Sequence, residues 1–172
     1  MTEGRVPPPV RTELELQVAF SGEPDRLARI LKVLRKSAGA LRAHLVYRLP
    51  ESWLAHFLCD KPAEGASALE REGEKVQTET VVTVRTRNRP GTFSHLVQTL
   101  AAEKVQVLYS YSTAMEDELL VVIRTAENPK AEDLLRNLLV LPDPSIPRGL
   151  EAASSPAPSR GKTNRQPRKR SS

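Results

Sequence analysis

Apolar and polar positions alternate strictly from Glu13 to Phe20, with Leu14, Leu16, Val18 and Phe20 on one side and Glu13, Glu15 and Gln17 on the other. A period of two predicts a half-buried β-strand. From about Pro24 to Ala38 the period lengthens. Leu27, Ile30, Leu31 and Leu34 recur at i, i+3, i+4 and i+7, the stripe of an amphipathic helix, and Gly39 marks its end. Strands are expected over Leu41–Leu49 and Trp53–Cys59, separated by the Pro50, Glu51, Ser52 turn. Pro62 opens a second helix through Leu69 to about Glu72, and Gly73 lies just past it, the usual placement of proline at a helix start and glycine at its stop. Lys75 to Arg87 reads as one long extended stretch.

The same order then returns. An ungapped offset of 66 residues carries Val18 onto Val84, Pro24 onto Pro90, Leu34 onto Leu100, Leu54 onto Leu120 and Leu69 onto Leu135. It also lays the first helical stripe on Phe93, Leu96, Val97 and Leu100. Such a period is too long for a solenoid turn and implies two copies of a small domain. Each copy reads β-α-β-β-α-β. The fold class is therefore α+β, two ferredoxin-like units with antiparallel sheets and both helices on one face. The stretch Lys75–Arg87 serves as the last strand of the first copy and the first strand of the second. In the second copy Leu119–Ile123 is apolar at five consecutive positions, so both of its faces call for burial, which predicts an interface between copies or between chains. Where that copy should have a fourth strand the chain reads Leu141, Pro142, Asp143, Pro144, Ser145, Ile146, Pro147. Proline cannot donate to a ladder, so this strand is expected to be short, at an edge, or absent.

Composition narrows the function. The chain has 172 residues, enough for one or two small domains, and one cysteine, Cys59, which leaves no partner for an internal disulfide or a CxxC site. Its net charge of +5 is misplaced if read as an average. Residues 148–172 hold seven basic residues and one acidic, so the other 147 residues carry 19 basic and 20 acidic. The body is nearly neutral. The prolines, serines and basic residues beyond Pro142 bring few large apolar groups, and such a segment cannot offset the entropy of ordering. The expected division is a disordered N-terminal segment at 1–11, a first domain at 12–79, a second at 80–141 and a disordered basic tail at 142–172, with order expected from about Val10 to about Leu141. No apolar run reaches the roughly 18 residues that cross a bilayer, and a soluble, cytoplasmic protein is expected.

The sharpest local feature is Asn88, Arg89, Pro90, Gly91, Thr92, between a strand and a helix. A glycine there permits close approach of a ligand, and the first amides of the helix point outward with the positive end of its dipole behind them. That suits a carboxylate, with the Asn88 amide and Thr92 hydroxyl beside it. Ordinary capping by Asn88 or Thr92 is the simpler alternative. Catalysis finds little support. His44, His56 and His95 show no metal-ligand spacing, Cys59 lies on an apolar strand face, and Glu116, Asp117 and Glu118 form an acidic hairpin tip that reads as solvated. No phosphate-loop or dinucleotide motif occurs, and no metal or cofactor is expected. RNA-recognition modules share the element order, but the strand Trp53–Cys59 lacks their glycines and basic residue. Nucleic acid is not expected beyond weak attraction to the tail.

The doubled unit, the Asn88-Arg89-Pro90-Gly91 turn, the Leu96, Val97, Leu100 helix and the strand Val105-Gln106-Val107 together resemble an ACT domain, and the pair resembles the small tandem ACT-domain proteins of bacteria. The resemblance covers roughly residues 12–141. It implies a non-enzymatic regulatory module that binds an amino acid or related metabolite at a domain interface, as a homo-oligomer. The serine-binding ACT domain of phosphoglycerate dehydrogenase offers the nearest parallel. It implies ligand contacts at Asn88, at Thr86 where that enzyme has His, and at Gln106 where it has Asn, with Arg89, Pro90, Gly91 and Thr92 completing the turn. In the first copy the corresponding places hold Phe20, Gly22, Glu23, Pro24, Asp25 and Ala40. There the glycine after proline and the amide are missing, and Asp25 is positioned to cap its own helix. That copy is expected to be structural, or to supply one wall of a shared site. The alternative is a ligand-free interaction module that docks paired sheets and the basic tail onto a protein partner such as an enzyme.

Overall fold

The computed structural model describes residues 9–23 and 25–140. The expectations for residues 1–8, for Pro24 and for the tail from 141 onward lie outside the described residues. The elements are β1 (Val10–Phe20), α1 (Arg26–Ser37), β2 (Leu41–Arg48), β3 (Trp53–Cys59), α2 (Pro62–Arg71), β4 (Lys75–Arg87), α3 (Thr92–Ala102), β5 (Val107–Met115), β6 (Glu118–Thr125) and α4 (Asn128–Val140). The 66-residue offset carries each element of the first copy onto its counterpart within a few residues at the ends. It also carries the irregularity between Leu41 and Ala43 in β2 onto the one between Val107 and Tyr109 in β5. The repeat therefore extends to backbone detail.

All six strands belong to one antiparallel sheet, in the order β2-β3-β1-β4-β6-β5. This refines the expectation of two four-stranded sheets that share the strand Lys75–Arg87. β1 and β4 pair along nearly their whole length, from Val10 opposite Val84 to Ala19 opposite Lys75. Each long strand serves one copy with each end. β4 closes the first copy and opens the second, as the sequence predicts, while the start of β1 takes the place of the second copy's fourth strand. Val10 is fully buried in the second core with Val82, Val84, Leu96, Leu100, Val121, Ile123 and Leu135. Val10 and Arg11 are thus strand residues and not part of a disordered segment at 1–11. Lengthening a neighbour's strand satisfies the sheet edge that a proline-rich continuation cannot.

The helices cover one face. Ile30 and Leu34 of α1 and Leu69 of α2 form one core with Leu16, Val18, Phe20, Ala55, Phe57 and Cys59 of the strands. The helical stripes are narrower than their periodicity suggests. Ile30, Leu34, Leu96 and Leu100 are buried, while Leu31 and Phe93 at the stripe margins are exposed. Gly65 draws α2 tight against α1, since a Cβ on it would stand 2.9 Å from that of Ala38.

The other face of the sheet is also closed. The outermost strands β2 and β5 touch each other, so the sheet curls until its two edges meet. Inside this curl Ala43, Leu58, Val81 and Val122 form a third apolar cluster with Leu120, Tyr109 and Tyr111. The second face of β6 is buried against the first copy, which accounts for its unbroken apolar run. The same closure changes β1. Its polar face was expected to be the exposed side of a half-buried strand, yet Glu15 is fully buried.

Candidate functional site

Two regions concentrate polar groups, the turn before α3 and the inner face of the curled sheet. At the turn β4 ends on Arg87, and the Asn88 amide donates to the Asp117 carbonyl at 2.7 Å, which pins the turn to the β5–β6 hairpin. Gly91 adopts φ of +87°, a left-handed conformation that glycine takes without strain. Beyond Pro90 and Thr92, no described residue brings an atom within 4 Å of the place its Cβ would occupy. Neither proposed cap operates: no side chain caps α3, and the Thr92 hydroxyl donates back to the Arg87 carbonyl at 3.3 Å. The His95 amide donates to the Gly91 carbonyl. The Phe93 and Ser94 amides have no acceptor among the described residues. Asn88, Arg89, Pro90 and Gly91 are exposed and Thr92 is half-buried.

Thr86 is half-buried on β4 opposite Leu119, two residues from Asn88. Gln106 is not brought to this turn. It precedes β5, whose first residue Val107 pairs with Thr125 at the end of β6, whereas Arg87 pairs with Glu118 at the beginning of β6. The two lie at opposite ends of that strand, roughly 20 Å apart at about 3.3 Å per residue. The reason is topological: α3 carries the chain back along the sheet, so its entry and exit face opposite ends. Gln106 is exposed, and its carbonyl accepts from the Ala126 amide at 3.0 Å.

The first copy treats its equivalent turn differently. Asp25 stands at the start of α1 but makes no capping bond, because its carboxylate pairs with Arg29 at 3.0 Å. Trp53 crowds the turn, with its indole nitrogen 3.1 Å from the position of a Cβ on Gly22.

The inner face holds a buried network that the alternation in β1 did not reveal. The Glu15 carboxylate accepts from the Tyr109 hydroxyl, the Tyr111 hydroxyl and His56 Nδ1, the last at 2.8 Å. Gln17 donates to the Tyr109 oxygen at 3.1 Å, and the Tyr47 ring stacks on His56. Burial raises the Glu15 pKa, but the hydrogen bonds from His56, Tyr109 and Tyr111 outweigh it and hold the carboxyl below its ordinary value. Burial and the Glu15 charge push both tyrosines up. Glu13 lies beside it. Arg42 grips Glu13 with two bonds of 2.6 and 3.1 Å, and Arg11 and Thr83 also reach its carboxylate. Against the cost of burial these hold its pKa down as well. Arg42 Nε lies 3.4 Å from Asp60, near enough for attraction but without hydrogen-bond geometry. Every member of the Glu15 group is used within the protein, so the network couples the copies and offers no free chemistry. The available sequence signal was the pair Tyr109 and Tyr111 at alternate positions of β5, facing the same way as His56.

Among the described residues no set of three His, Cys, Asp or Glu side chains is placed to hold a metal. Cys59 is buried, and that burial pushes its thiol up, away from the reactive thiolate.

A doubled βαββαβ unit whose first-strand turn opens an uncapped helix is what known families can be compared with. The ACT domain pair family matches residues 12–142. This chain belongs to that family. The family is one of regulatory, small-molecule-binding modules. Among solved structures, protein BT0572 from Bacteroides thetaiotaomicron is similar at 24% identity and a TM-score of 0.71, over 76% of this chain and 90% of that one. The ligand-free regulatory subunit of aspartate kinase from Thermus thermophilus is similar at 14% identity and a TM-score of 0.56, over 74% and 95%. That of Thermus flavus follows at 15% and 0.51, over 76% and 96%. At these identities the likeness concerns the fold. No curated protein matches. Among the described residues of this ACT domain pair no helix is long and apolar enough to cross a membrane.

Proposed function

We propose that this ACT domain pair is a non-enzymatic, cytoplasmic regulator that binds an amino acid or a related small metabolite at the Asn88–Thr92 turn. The observation that carries the reading is Gly91: left-handed, exposed, with open space where a side chain would be, at the uncapped start of α3. Free amides and the positive end of the helix dipole suit the ligand's carboxylate, with Arg89 beside them. The acidic β5–β6 tip, tied to the turn through Asn88 and Asp117, suits its ammonium group. Thr86 and Asn88 supply further polar contacts.

Because Gln106 stands at the far end of β6, it takes part only if a second copy of the chain presents it. Phe93, exposed in the first turn of α3, gives such a copy an apolar contact at the site. Ligand binding then reports itself as a change in assembly, or in affinity for a protein partner. The ligand-free interaction module remains the second reading, and nothing specific in the geometry favours it.

A thermal-shift screen of the full chain against the twenty amino acids tests the proposal. A ligand at about a hundred times its dissociation constant stabilises by about 2.7 kcal/mol, or about 5–11 °C for a chain near this size. One amino acid should do so and fail on Asn88→Ala. A flat response across the panel would turn the reading to the interaction module.

A further inference from the structure

The cations of the body are not spread evenly. α1 carries Arg26, Arg29, Lys32, Arg35 and Lys36 and no acidic residue, while its counterpart α3 carries no Lys, Arg, Asp or Glu. Two of the five have clear local employment. Arg26 is held by Glu74, and Arg29 by Glu23 and Asp25. Arg35 and Lys36 complement the dipole in the last turn. Lys32 has neither an ion-pair partner among the described residues nor a helix end to complement.

These cations border a groove. On the outer side of the contact between α1 and α2 lies a groove of about 570 Å³, within the roughly 300–1,000 Å³ of small-molecule sites. Arg29, Lys32 and Lys36 line it from α1 and Arg71 from α2, against a single carboxylate, Glu72. Arg71 Nε is spent on the Ser67 carbonyl, which leaves its terminal nitrogens for a ligand. Val33 and Ala68 add an apolar strip to the lining. We propose that this groove is a second binding site, for a phosphorylated small molecule of about nucleotide size.

Several features select that ligand class. Beyond Arg29, which Glu23 and Asp25 engage, the cations Lys32, Lys36 and Arg71 outnumber the one lining carboxylate, Glu72, which favours a ligand with more than one negative charge, and the terminal nitrogens of Arg71 match phosphate oxygens. The apolar strip and the lysine stems accommodate an organic portion. A long polyanion fits less well. Arg29 to Lys36 spans only about 10 Å of helix at 1.5 Å per residue.

The test is titration of the full chain at 150 mM salt with a trinitrophenyl-ATP reporter, displaced by ADP and by tripolyphosphate. One saturable site per chain is expected. Lys32→Glu combined with Lys36→Glu should weaken it about tenfold or more, as loss of charge-assisted bonds does. Arg35→Glu, which reverses the same charge on the same helix outside the groove, should stay within about twofold. All these side chains are at the surface, and an unchanged melting curve confirms the fold. Gly91→Asp should leave reporter binding intact, which separates this site from the turn before α3. Absence of saturable binding would overturn the proposal. So would equal losses from the Arg35 and lysine variants, or loss on deleting residues 148–172 alone.

Discussion

Glu15 and Val81 occupy the same place in the two copies, and so do His56 and Val122, Tyr109 and Ala43, Tyr111 and Leu45. One set forms the polar network of the inner face, while Val81, Val122 and Ala43 of the other set belong to the apolar cluster. Each group draws on both copies: Glu15 and His56 of the first meet tyrosines of the second, and Val81 and Val122 of the second meet Ala43 of the first. The turns divide in the same way. That of the second copy is open around Gly91, and that of the first is crowded by Trp53 at Gly22 with Asp25 bound to Arg29. The two copies keep one backbone and place different groups at its equivalent positions, so that one turn is open and the other is closed by packing.

Making the copies alike on the inner face should cost most. Glu15→Val installs the counterpart's residue and leaves two tyrosine hydroxyls and His56 without their acceptor. Urea denaturation should show a loss of about 3 kcal/mol or more. Adding His56→Val, Tyr109→Phe and Tyr111→Phe should recover much of it, since a buried polar group replaced whole by apolar side chains is often near neutral.

At the turns the effect is on binding. Gly91→Asp puts bulk and negative charge at the start of α3 and should abolish ligand-induced stabilisation, at a cost of about 1 kcal/mol for a left-handed non-glycine residue. Calorimetric titration beside a melting curve separates the two effects. The pH response has a definite sign. Glu13 and Glu15 are held below the ordinary carboxylate value in the folded protein. Their contribution is fully present above the unfolded value of about 4.3 and is lost as pH falls through their folded values. Stability measured from pH 6 down to 3 should therefore drop, less steeply in Glu15→Val. The smallest effect belongs to the first turn. Asp25→Ala removes a pair in which both side chains are more than half exposed, and should cost less than about 1 kcal/mol without altering ligand affinity.

Most elements were legible because periodicity is local: the strand Trp53–Cys59 and the stretch Lys75–Arg87 match β3 and β4 to the residue. What escaped was long-range. Nothing near Val10 says that it completes the second copy's sheet, although the long strands β1 and β4 are what a shared pair requires. Alternation placed Glu15 opposite Leu16 correctly, but its burial comes from Tyr109 and Tyr111, more than ninety residues away. The Asn88–Thr92 turn was readable from a proline, a glycine and their neighbours. The place of Gln106, carried over from the resemblance, depends on the direction in which α3 returns along the sheet, which no residue near it shows.

The central claim, that ligand binding belongs to the second copy's turn, is tested most directly by amide-resolved NMR of the full chain titrated with pooled amino acids. The account predicts that at least one pool displaces amides clustered over Asn88 and Arg89, Gly91–Ser94 and Gln106, while those of Gly22, Glu23 and Asp25–Ala28 stay in place. Displacements confined to the first turn, or none in any pool, would contradict it.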